Sequence, residues 1–332
     1  MKALVLALGL LAGALGASAA TAEDAAPVAI ETRSVPFSSF QIGASSNRFG
    51  TLEFIGGFEL RARASQFGQF SAMRFMKPGS DFVGVADHGY WFFGTIERQG
   101  DVPVGVSNFR MQPMVDASGE IIDDKPHVDA EGMHFHDGVA TVSFEREARV
   151  TEYPVGPQGA GKPVRDLDFL IPRRELRYNA GMETVVRAPD ASPLKGARLV
   201  IAERSIDTEG NIFAAVLEGP RKGIFKVVRS DSFDVTDGAF LPGGDLILLE
   251  RRFTRPISVG MRLRRIDGGS IRPGAVVDGE VLMEADLSSR IDNMEALDIW
   301  RRDDGKLVVS VMSDDNQSFL QRTLYLEFLL GE

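Results

Sequence analysis

The fold is indicated by residues 129–146, which read DAEGMHFHDGVATVSFER. An apolar first strand leads to Asp137-Gly138, a dipeptide typical of a tight hairpin turn. A second strand, Val139 to Phe144, follows and ends in the charged pair Glu145-Arg146. The stretch therefore predicts a β-hairpin that carries charged side chains at the end opposite its turn.

The same pattern of strand, turn and charged strand end recurs along the chain. Short runs rich in Val, Ile, Leu and Phe are separated by Gly, Pro and Asp turns, and helical periodicity is almost absent. The five units lie at residues 70–88, 129–146, 179–204, 235–251 and 293–316. Each is followed by enough sequence for two outer strands, as in a propeller blade.

These units predict an all-β fold, a single β-propeller with five visible four-stranded repeats. Six blades remain possible, because a degenerate sixth unit would be hard to recognise in the less regular stretches. The strand from Leu52 to Leu60 is expected to pair beside the strand from Leu324 to Leu330 and so close the ring. We assign residues 51–332 to the propeller and 21–50 to an N-terminal segment. The competing architecture is a two-domain β-sandwich.

The first twenty residues resemble a secretory signal. Lys2 supplies a positive charge, Ala3 to Gly16 is an uncharged apolar run, and Ala17-Ser18-Ala19 is a small-residue cleavage site. We therefore expect residues 1–20 to be a signal peptide cleaved near Ala19 or Ala20, and the protein to be periplasmic or secreted. No other stretch approaches the length of a membrane span, so none is predicted.

Composition narrows the choice of partners. The 332 residues contain 37 Lys and Arg against 47 Asp and Glu, a formal net charge of −10, and no cysteine. Loss of Lys2 with the signal would make the charge −11. Such a surface repels nucleic acid and anionic lipid, so neither is an expected partner, and it suits cation binding. We expect a monomer.

The repeat also predicts where the acidic side chains meet. In an antiparallel hairpin, the start of the first strand and the end of the second lie at the same end. Closing the ring would bring four acid pairs to one mouth of the channel: Glu131 with Glu145, Glu183 with Glu203, Asp237 with Glu250, and Glu295 with Asp314.

Two interpretations of this predicted mouth remain open. Crowded carboxylates raise one another's pKa unless cations intervene, and Ca²⁺ accepts six to eight such oxygen ligands. Alternatively, the recurring Glu-Arg pairs form an ion-pair network that only holds neighbouring blades together. Three units contain that pair, at Glu145-Arg146, Glu203-Arg204 and Glu250-Arg251.

Two histidine sites and one glycine-rich loop also carry residue types that could serve catalysis or binding. His88 beside Asp87, at the predicted mouth, is a candidate for general acid–base catalysis. His134 and His136 alternate along a strand but lack a third ligand of clear spacing, so a zinc site is not predicted. The loop from Gly156 to Lys162 is followed by Pro163 where a phosphate-binding loop needs Ser or Thr, which excludes that motif.

Four segments together resemble the phytase-like propeller domain, described as having esterase-like activity of phytase. The likeness runs from about Gly56 to Leu329. The segments are Asp129-Ala-Glu-Gly132, Asn179-Ala-Gly-Met-Glu183, Asn293-Met-Glu-Ala-Leu297, and Ser313-Asp-Asp-Asn316 with Gln321-Arg-Thr323.

The resemblance implies an exported, Ca²⁺-dependent hydrolase of phosphate esters or other esters, acting on a small anionic substrate. Arg146, Arg204 and Arg251 would then bind the phosphate. The alternative function is a non-catalytic periplasmic propeller that binds a protein or cell-envelope ligand. The calcium ligands implied by the resemblance are Asp129, Glu131, Glu183, Asp237, Glu295 and Asp314, with Glu145, Glu203 and Glu250 behind them.

Overall fold

The computed structural model describes residues 25–44, 46–254 and 258–331. The predicted signal peptide lies outside these ranges. Four strands precede the first repeat: β1 (Val28–Ala29), β2 (Thr32–Phe37), β3 (Arg48–Phe49) and β4 (Leu52–Ala62). None of the helices in the described part of the chain is long and apolar enough to cross a membrane.

The first two blades follow directly. In the first, β1 pairs with the outer strand. Its strands are β5 (Phe70–Phe75), β6 (Asp81–Ala86), β7 (Tyr90–Gln99) and β8 (Val102–Pro113). The second blade is preceded by a four-residue helix, α1 (Lys125–Val128), and contains β9 (Ala130–His136), β10 (Val139–Phe144), β11 (Arg149–Gly156), β12 (Gly159–Ala160) and β13 (Arg165–Leu167).

The remaining three blades complete the molecule. A 3-10 turn at Arg173–Glu175 leads into the third blade, β14 (Met182–Arg187), β15 (Arg198–Ile206), β16 (Ile212–Val216) and β17 (Gly223–Val227). The fourth contains β18 (Asp234–Phe240), β19 (Leu246–Thr254), β20 (Ser258–Ile266) and β22 (Gly279–Ala285), while β21 (Val276–Val277) pairs with β17 of the third. The fifth contains β23 (Asn293–Arg301), β24 (Leu307–Asp314) and β25 (Thr323–Leu330).

The five sheets are arranged as one five-bladed propeller, as the repeat predicted. The innermost strands contact one another in the cyclic order β5, β9, β14, β18, β23 and back to β5. This arrangement rules out the two-sandwich alternative and gives five blades rather than six. The predicted pairing across the chain ends is present, because β4 lies antiparallel to β25 in the fifth sheet, with Leu60 opposite Thr323.

Apolar side chains fill the spaces between neighbouring blades. Trp91 of the first blade lies edge-on to Tyr153 of the second, with ring centroids 5.2 Å apart. In the fifth blade, Phe58 from β4 stacks on Tyr325 from β25 at 5.1 Å. All four rings are buried, and burial of a large apolar side chain contributes about 1.5–3 kcal/mol. The contact of Trp91 with Tyr153 joins the first two blades, and the stack of Phe58 on Tyr325 joins two strands within the fifth.

Candidate functional site

A β-bulge recurs in the innermost hairpin of every blade. In the third blade, Met182 pairs with Ala202 but Thr184 pairs with Ile201, so Glu183 has no partner of its own. A bulge of this kind re-aims one side chain and is common beside functional sites. The residues at the bulge on the innermost strands are Ser71, Glu131 with Gly132, Glu183, Thr236 and Glu295.

The end of the second strand supplies one further side chain from each blade. In the first three blades the backbone there is held the same way, for example by the Glu203 amide donating to the Gly181 carbonyl at 2.7 Å. On the second strand of each blade, one residue follows the partner of the residue just before the bulge. In blades one to five this residue is Asp87, Glu145, Glu203, Arg251 and Asp314, respectively.

Apart from Gly132 and Thr236, the residues at these positions line a cavity of about 400 Å³ at one end of the channel, which we call the carboxylate mouth. The prediction that acids from several repeats meet at one mouth is therefore met. Nine of the predicted site residues line it: Asp87, Glu131, Glu145, Glu183, Glu203, Arg204, Arg251, Glu295 and Asp314.

The carboxylates of the mouth differ in their partners. Glu145 accepts a hydrogen bond from the Gly181 amide at 2.9 Å, and Asp314 accepts one from the Phe70 amide at 3.0 Å. Among the described residues, the carboxylates of Glu131 and Glu183 accept no hydrogen bond, and no basic group forms an ion pair with them. Two half-buried carboxylates thus face the cavity without a protein cation.

Burial raises the pKa of these carboxyl groups. The pKa of Asp314 is raised to about 8, first by burial and then by the charge of Glu295. For Glu131 and Glu183 the pKa lies well above the usual range, because burial and the neighbouring carboxylates both disfavour the charged form. Burial also raises the pKa of Glu145 and of Glu295 to about 7.

Two arginines offset part of this charge. Arg251 of the fourth blade links the third and fifth blades, because it donates to Glu203 at 3.0 Å and also to Glu295. Arg204 is less constrained, since its nearest acid is Asp234 at 3.6 Å and its side chain is 45 % exposed. The ion-pair network considered for the mouth is therefore present at Arg251, but it does not reach Glu131 or Glu183.

A group of three acids lies where the second blade enters the mouth. One oxygen each of Asp129, Glu131 and Glu145 lies within 4.8 Å of the others. Asp129 is already paired, with Lys125 at 2.7 Å and with Arg146 at 2.7 Å. Arg146 is thus held by an acid and does not line the cavity.

The donor set fits a hard cation. Ca²⁺ binds six to eight oxygens with flexible geometry. The mouth presents carboxylates from all five blades and the amides of Asn179, Asn293 and Asn316. The unpartnered Glu131 and Glu183, with their raised pKa, are the groups that a cation would relieve most.

His88 lies behind Asp87 rather than in the cavity. Its Nε2 donates to the Gln66 carbonyl at 3.0 Å, and its Nδ1 lies 3.8 Å from Asp87. Burial lowers the pKa of His88 and raises that of Asp87, whose carboxylate is also paired with Lys125 at 3.0 Å. Asp87 lines the mouth and His88 does not.

Asp237 was placed at the mouth by the repeat, and this placement was wrong. It follows the bulge residue Thr236, so its side chain points down the channel instead. There both its oxygens accept from the guanidinium of Arg74, at 2.6 and 2.7 Å, and both side chains are buried. Arg74 also donates to the Leu297 carbonyl, so this pair joins three blades and fills the channel.

Glu250 was also misplaced. It lies opposite Arg262 in the fourth sheet, one residue before the position that reaches the mouth. Its oxygens accept from Arg262 at 2.7 Å and from Arg264 at 2.5 Å, and all three side chains are buried. Glu250 is a structural ion-pair residue of the blade.

Several lining residues were not predicted. Asp234 is the first residue of β18 in the fourth blade. It was missed because the sequence of this blade was aligned with the other repeats one residue out of register. Asn179 and Asn293 begin recognised segments, so their position in the repeat was a usable signal. The lining residues that were not among the predicted site residues are Gln69, Phe70, Ser71, Asn179, Asp234, Phe253, Asn293 and Asn316.

A second cavity of about 350 Å³ lies beyond Arg74, on the opposite side from the carboxylate mouth. It is lined by Trp300 and by His134, whose buried Nε2 has no partner in the described part of the chain. His134 and His136 stack 6.2 Å apart. Arg74 lines this cavity and not the mouth, so the two spaces are separate.

Comparison with known proteins identifies the family. The model of the phytase-like family, described as "Esterase-like activity of phytase", matches residues 65–317, and the chain belongs to this family. A search of curated proteins found no match.

The solved structures that match this chain are distant from it in sequence. A hypothetical protein from Leishmania major is 8 % identical, with a TM-score of 0.42 over 90 % of this chain and 91 % of that one. The PQQ-bound aldose sugar dehydrogenase of Streptomyces coelicolor is 13 % identical, with a TM-score of 0.47 over 86 % and 100 %. A bifunctional GH43-CE protein of Bacteroides eggerthii is 13 % identical, with a TM-score of 0.39 over 79 % and 33 %.

Proposed function

Since the chain belongs to the phytase-like family, we propose that it is a calcium-dependent hydrolase of small phosphate esters. The observation that carries this proposal is the pair of unpartnered carboxylates, Glu131 and Glu183, facing one cavity with a strongly raised pKa. An ion-pair lattice would leave neither of them without a cation. The family is generally calcium-binding, which agrees with this donor set.

The residues proposed to hold calcium come from the second, third and fifth blades. Glu131 and Glu183 would bind directly, because no protein group competes for them. Glu145 and Asp314 accept only backbone amides, and carboxylates so bound keep lone pairs for a metal. When bound, calcium supplies a charge that neutralises phosphoryl oxygens and lowers the pKa of a water molecule.

The chain's own residues would orient the substrate and accept a proton. Arg204 lines the cavity, and among the described residues its guanidinium donates no hydrogen bond, whereas Arg251 is fixed between Glu203 and Glu295. Guanidinium groups match phosphate oxygens in geometry and charge. Asp87 is the proposed proton acceptor for the attacking water, and His88, outside the cavity, would only position it.

Export is proposed together with this activity, on the basis of residues 1–20. Fractionation of cells expressing the full chain, with sequencing of the mature N-terminus, tests it. A mature protein that begins at Met1 and stays in the cytoplasm would contradict export and leave the proposed chemistry unaffected.

The activity is tested with p-nitrophenyl phosphate and bis(p-nitrophenyl) phosphate, in calcium and in chelator. We expect turnover only with calcium, and a melting temperature that falls when calcium is removed. Turnover of neither ester, together with an unchanged melting temperature in chelator, would overturn the proposal. That result would favour the non-catalytic binding function instead.

A further inference from the structure

Only three aromatic side chains in the described part of the chain are strongly exposed. They are Tyr178 at 61 %, Phe253 at 57 % and Phe319 at 95 %, and Leu320 beside the last is 77 % exposed. Single exposed aliphatic residues are ordinary on protein surfaces. Exposed aromatic rings confined to one face are informative, because each ring has a large apolar area to bury.

Phe253, near the end of β19, lines the carboxylate mouth, and the other two exposed residues adjoin lining residues in the sequences of two further blades. Tyr178 precedes the lining residue Asn179, and Phe319 follows the lining residue Asn316 by three positions. We call Tyr178, Phe253, Phe319 and Leu320 the apolar rim.

The loops that carry the rim are anchored at their bases. The turn around Tyr178 is held by Ser205, whose hydroxyl accepts from the Arg177 amide at 2.8 Å and donates to the Ala180 carbonyl at 2.7 Å. The loop around Phe319 is closed by a hydrogen bond from Asn316 to Gln321 at 3.1 Å. The exposed rings therefore stand on fixed supports.

The cations at the mouth are few. Arg204 and Arg251 are the basic residues that line it. The nearby Lys125 is occupied, at 3.0 Å from Asp87 and 2.7 Å from Asp129. Two arginines suit one phosphate group and do not match a substrate that carries several phosphates.

We propose that the mouth takes a phosphate monoester whose alcohol part is apolar, an alkyl or aryl group that rests on the apolar rim. This inference rests on the proposed function. Hydrolysis would break the bond between phosphorus and the alcohol oxygen, and the oxygen of water would join phosphorus. Asp87 would accept one proton of water and return it to the departing alcohol oxygen, and the other proton would remain on phosphate.

The test uses alkyl phosphates of one leaving-group chemistry, from butyl through hexyl to octyl, kept below micelle-forming concentrations, with calcium present. We expect kcat/KM to rise at least about tenfold from butyl to octyl, mainly through KM, as methylenes leave water. Inositol hexakisphosphate should be a poorer substrate than octyl phosphate.

The matched variants separate the rim from general surface effects. The double variant Phe253→Ala with Phe319→Ala should reduce the butyl-to-octyl difference to about twofold or less. Val164→Ala is the control, because Val164 is 67 % exposed and does not line the mouth. The control should keep the full chain-length dependence.

Binding of butylphosphonate and octylphosphonate, measured by calorimetry in calcium, separates failure of this inference from failure of the hydrolase proposal. Turnover without chain-length dependence, or a preference for inositol hexakisphosphate, would overturn the rim and leave the hydrolase. Absence of turnover with tighter binding of octylphosphonate, lost in the double variant, would support the rim and overturn the hydrolase. If there is no turnover and octylphosphonate binds no more tightly than butylphosphonate, both the rim and the hydrolase proposal are overturned.

Discussion

The third and fourth blades carry similar acids at similar places in their sequences and use them differently. In the third, Glu183 and Glu203 both line the mouth. In the fourth, Asp237 and Glu250 are both buried against arginines elsewhere. The mouth positions of the fourth blade belong instead to Thr236, which does not line the cavity, and to Arg251, which does.

The difference arises from a shift of one residue. Successive side chains of a strand point to opposite faces, so moving an acid by one position relative to the bulge reverses its direction. The two acids that point away from the mouth are stabilised by arginines. Asp237 pairs with Arg74 of the first blade, and Glu250 pairs with Arg262 and Arg264 of its own sheet. Acids without arginine remain available to a ligand.

Removing the charge of Asp237 should have the largest effect on stability. Asp237→Asn leaves Arg74 buried with an incomplete partner, and we expect a loss of about 3–5 kcal/mol in the free energy of unfolding. Glu183→Gln, at the mouth, should cost less than about 1 kcal/mol because no partner is lost. Urea denaturation of both variants in chelator measures the two losses in the free energy of unfolding. Equal losses would contradict the view that Asp237 is a structural ion-pair residue and Glu183 is not.

Neutralising the unpartnered acids should abolish the calcium response. The double variant Glu131→Gln with Glu183→Gln should lower turnover at least about 100-fold, roughly 2.7 kcal/mol in barrier, and remove stabilisation by calcium. Glu209→Gln, an exposed acid on the third blade, is the control and should behave as wild type. A double variant that still gains stability from calcium would show that the ion binds elsewhere.

The mouth should make stability fall with rising pH when no cation is present. The pKa is raised to about 7 for Glu145 and Glu295 and to about 8 for Asp314, from ordinary values of 4.5 for Glu and 3.8 for Asp. The folded state therefore holds more protons than the unfolded state between about pH 4.5 and 8, so these groups stabilise the fold below this window and lose that contribution across it.

We expect a decrease of about 2 kcal/mol or more over this range in chelator. Calcium, which binds the ionised carboxylates, should flatten the profile. Chemical denaturation at several pH values measures both curves, and Glu145→Gln should lessen the slope. A profile in chelator that rises from pH 4.5 to 8 would contradict the raised pKa values.

Arg251 is the cation that the fourth blade contributes to the mouth, where the third blade contributes Glu203 at the corresponding position. Arg251→Gln removes the partner of Glu203 and Glu295. We expect calcium to bind at least about threefold more tightly, since one positive charge near the site is lost. Turnover should decrease with the loss of a phosphate donor. Calorimetric titration and the ester assay would separate the two effects, and weaker calcium binding would count against this role.

The smallest change is expected for His88. His88→Asn should leave turnover within about threefold of wild type, because the imidazole contacts Gln66 and Asp87 but not the cavity. A loss of about 100-fold or more, with an unchanged melting temperature, would instead restore His88 as a general acid–base catalyst.

Much of the fold was predictable because it depends on local, repeated chemistry. Turns such as Asp137-Gly138 mark the hairpins, and the hairpin rule correctly sent Glu131, Glu145, Glu183 and Glu295 to one mouth. The domain limits at residues 21–50 and 51–332 stay predictions.

What escaped prediction depends on register and on distant partners. The bulge at Thr236 cannot be recognised without the paired strand, so the fourth repeat was aligned one residue out. The pairing of Arg74 with Asp237 joins residues 163 positions apart, so it cannot be predicted from the local sequence around either residue. The exposure of Phe253 is likewise a property of the assembled ring.

The fifth sheet has a consequence for how the chain is made. It contains β4, from before the first repeat, and β25, close to the last residue. During synthesis, β4 must wait for some 260 further residues before its partner exists. For that time an eleven-residue strand with an apolar face remains without its neighbour, a hazard for association with other nascent chains. The two ends therefore make the last blade a late step in folding, and a shortened C-terminus would leave it unfinished.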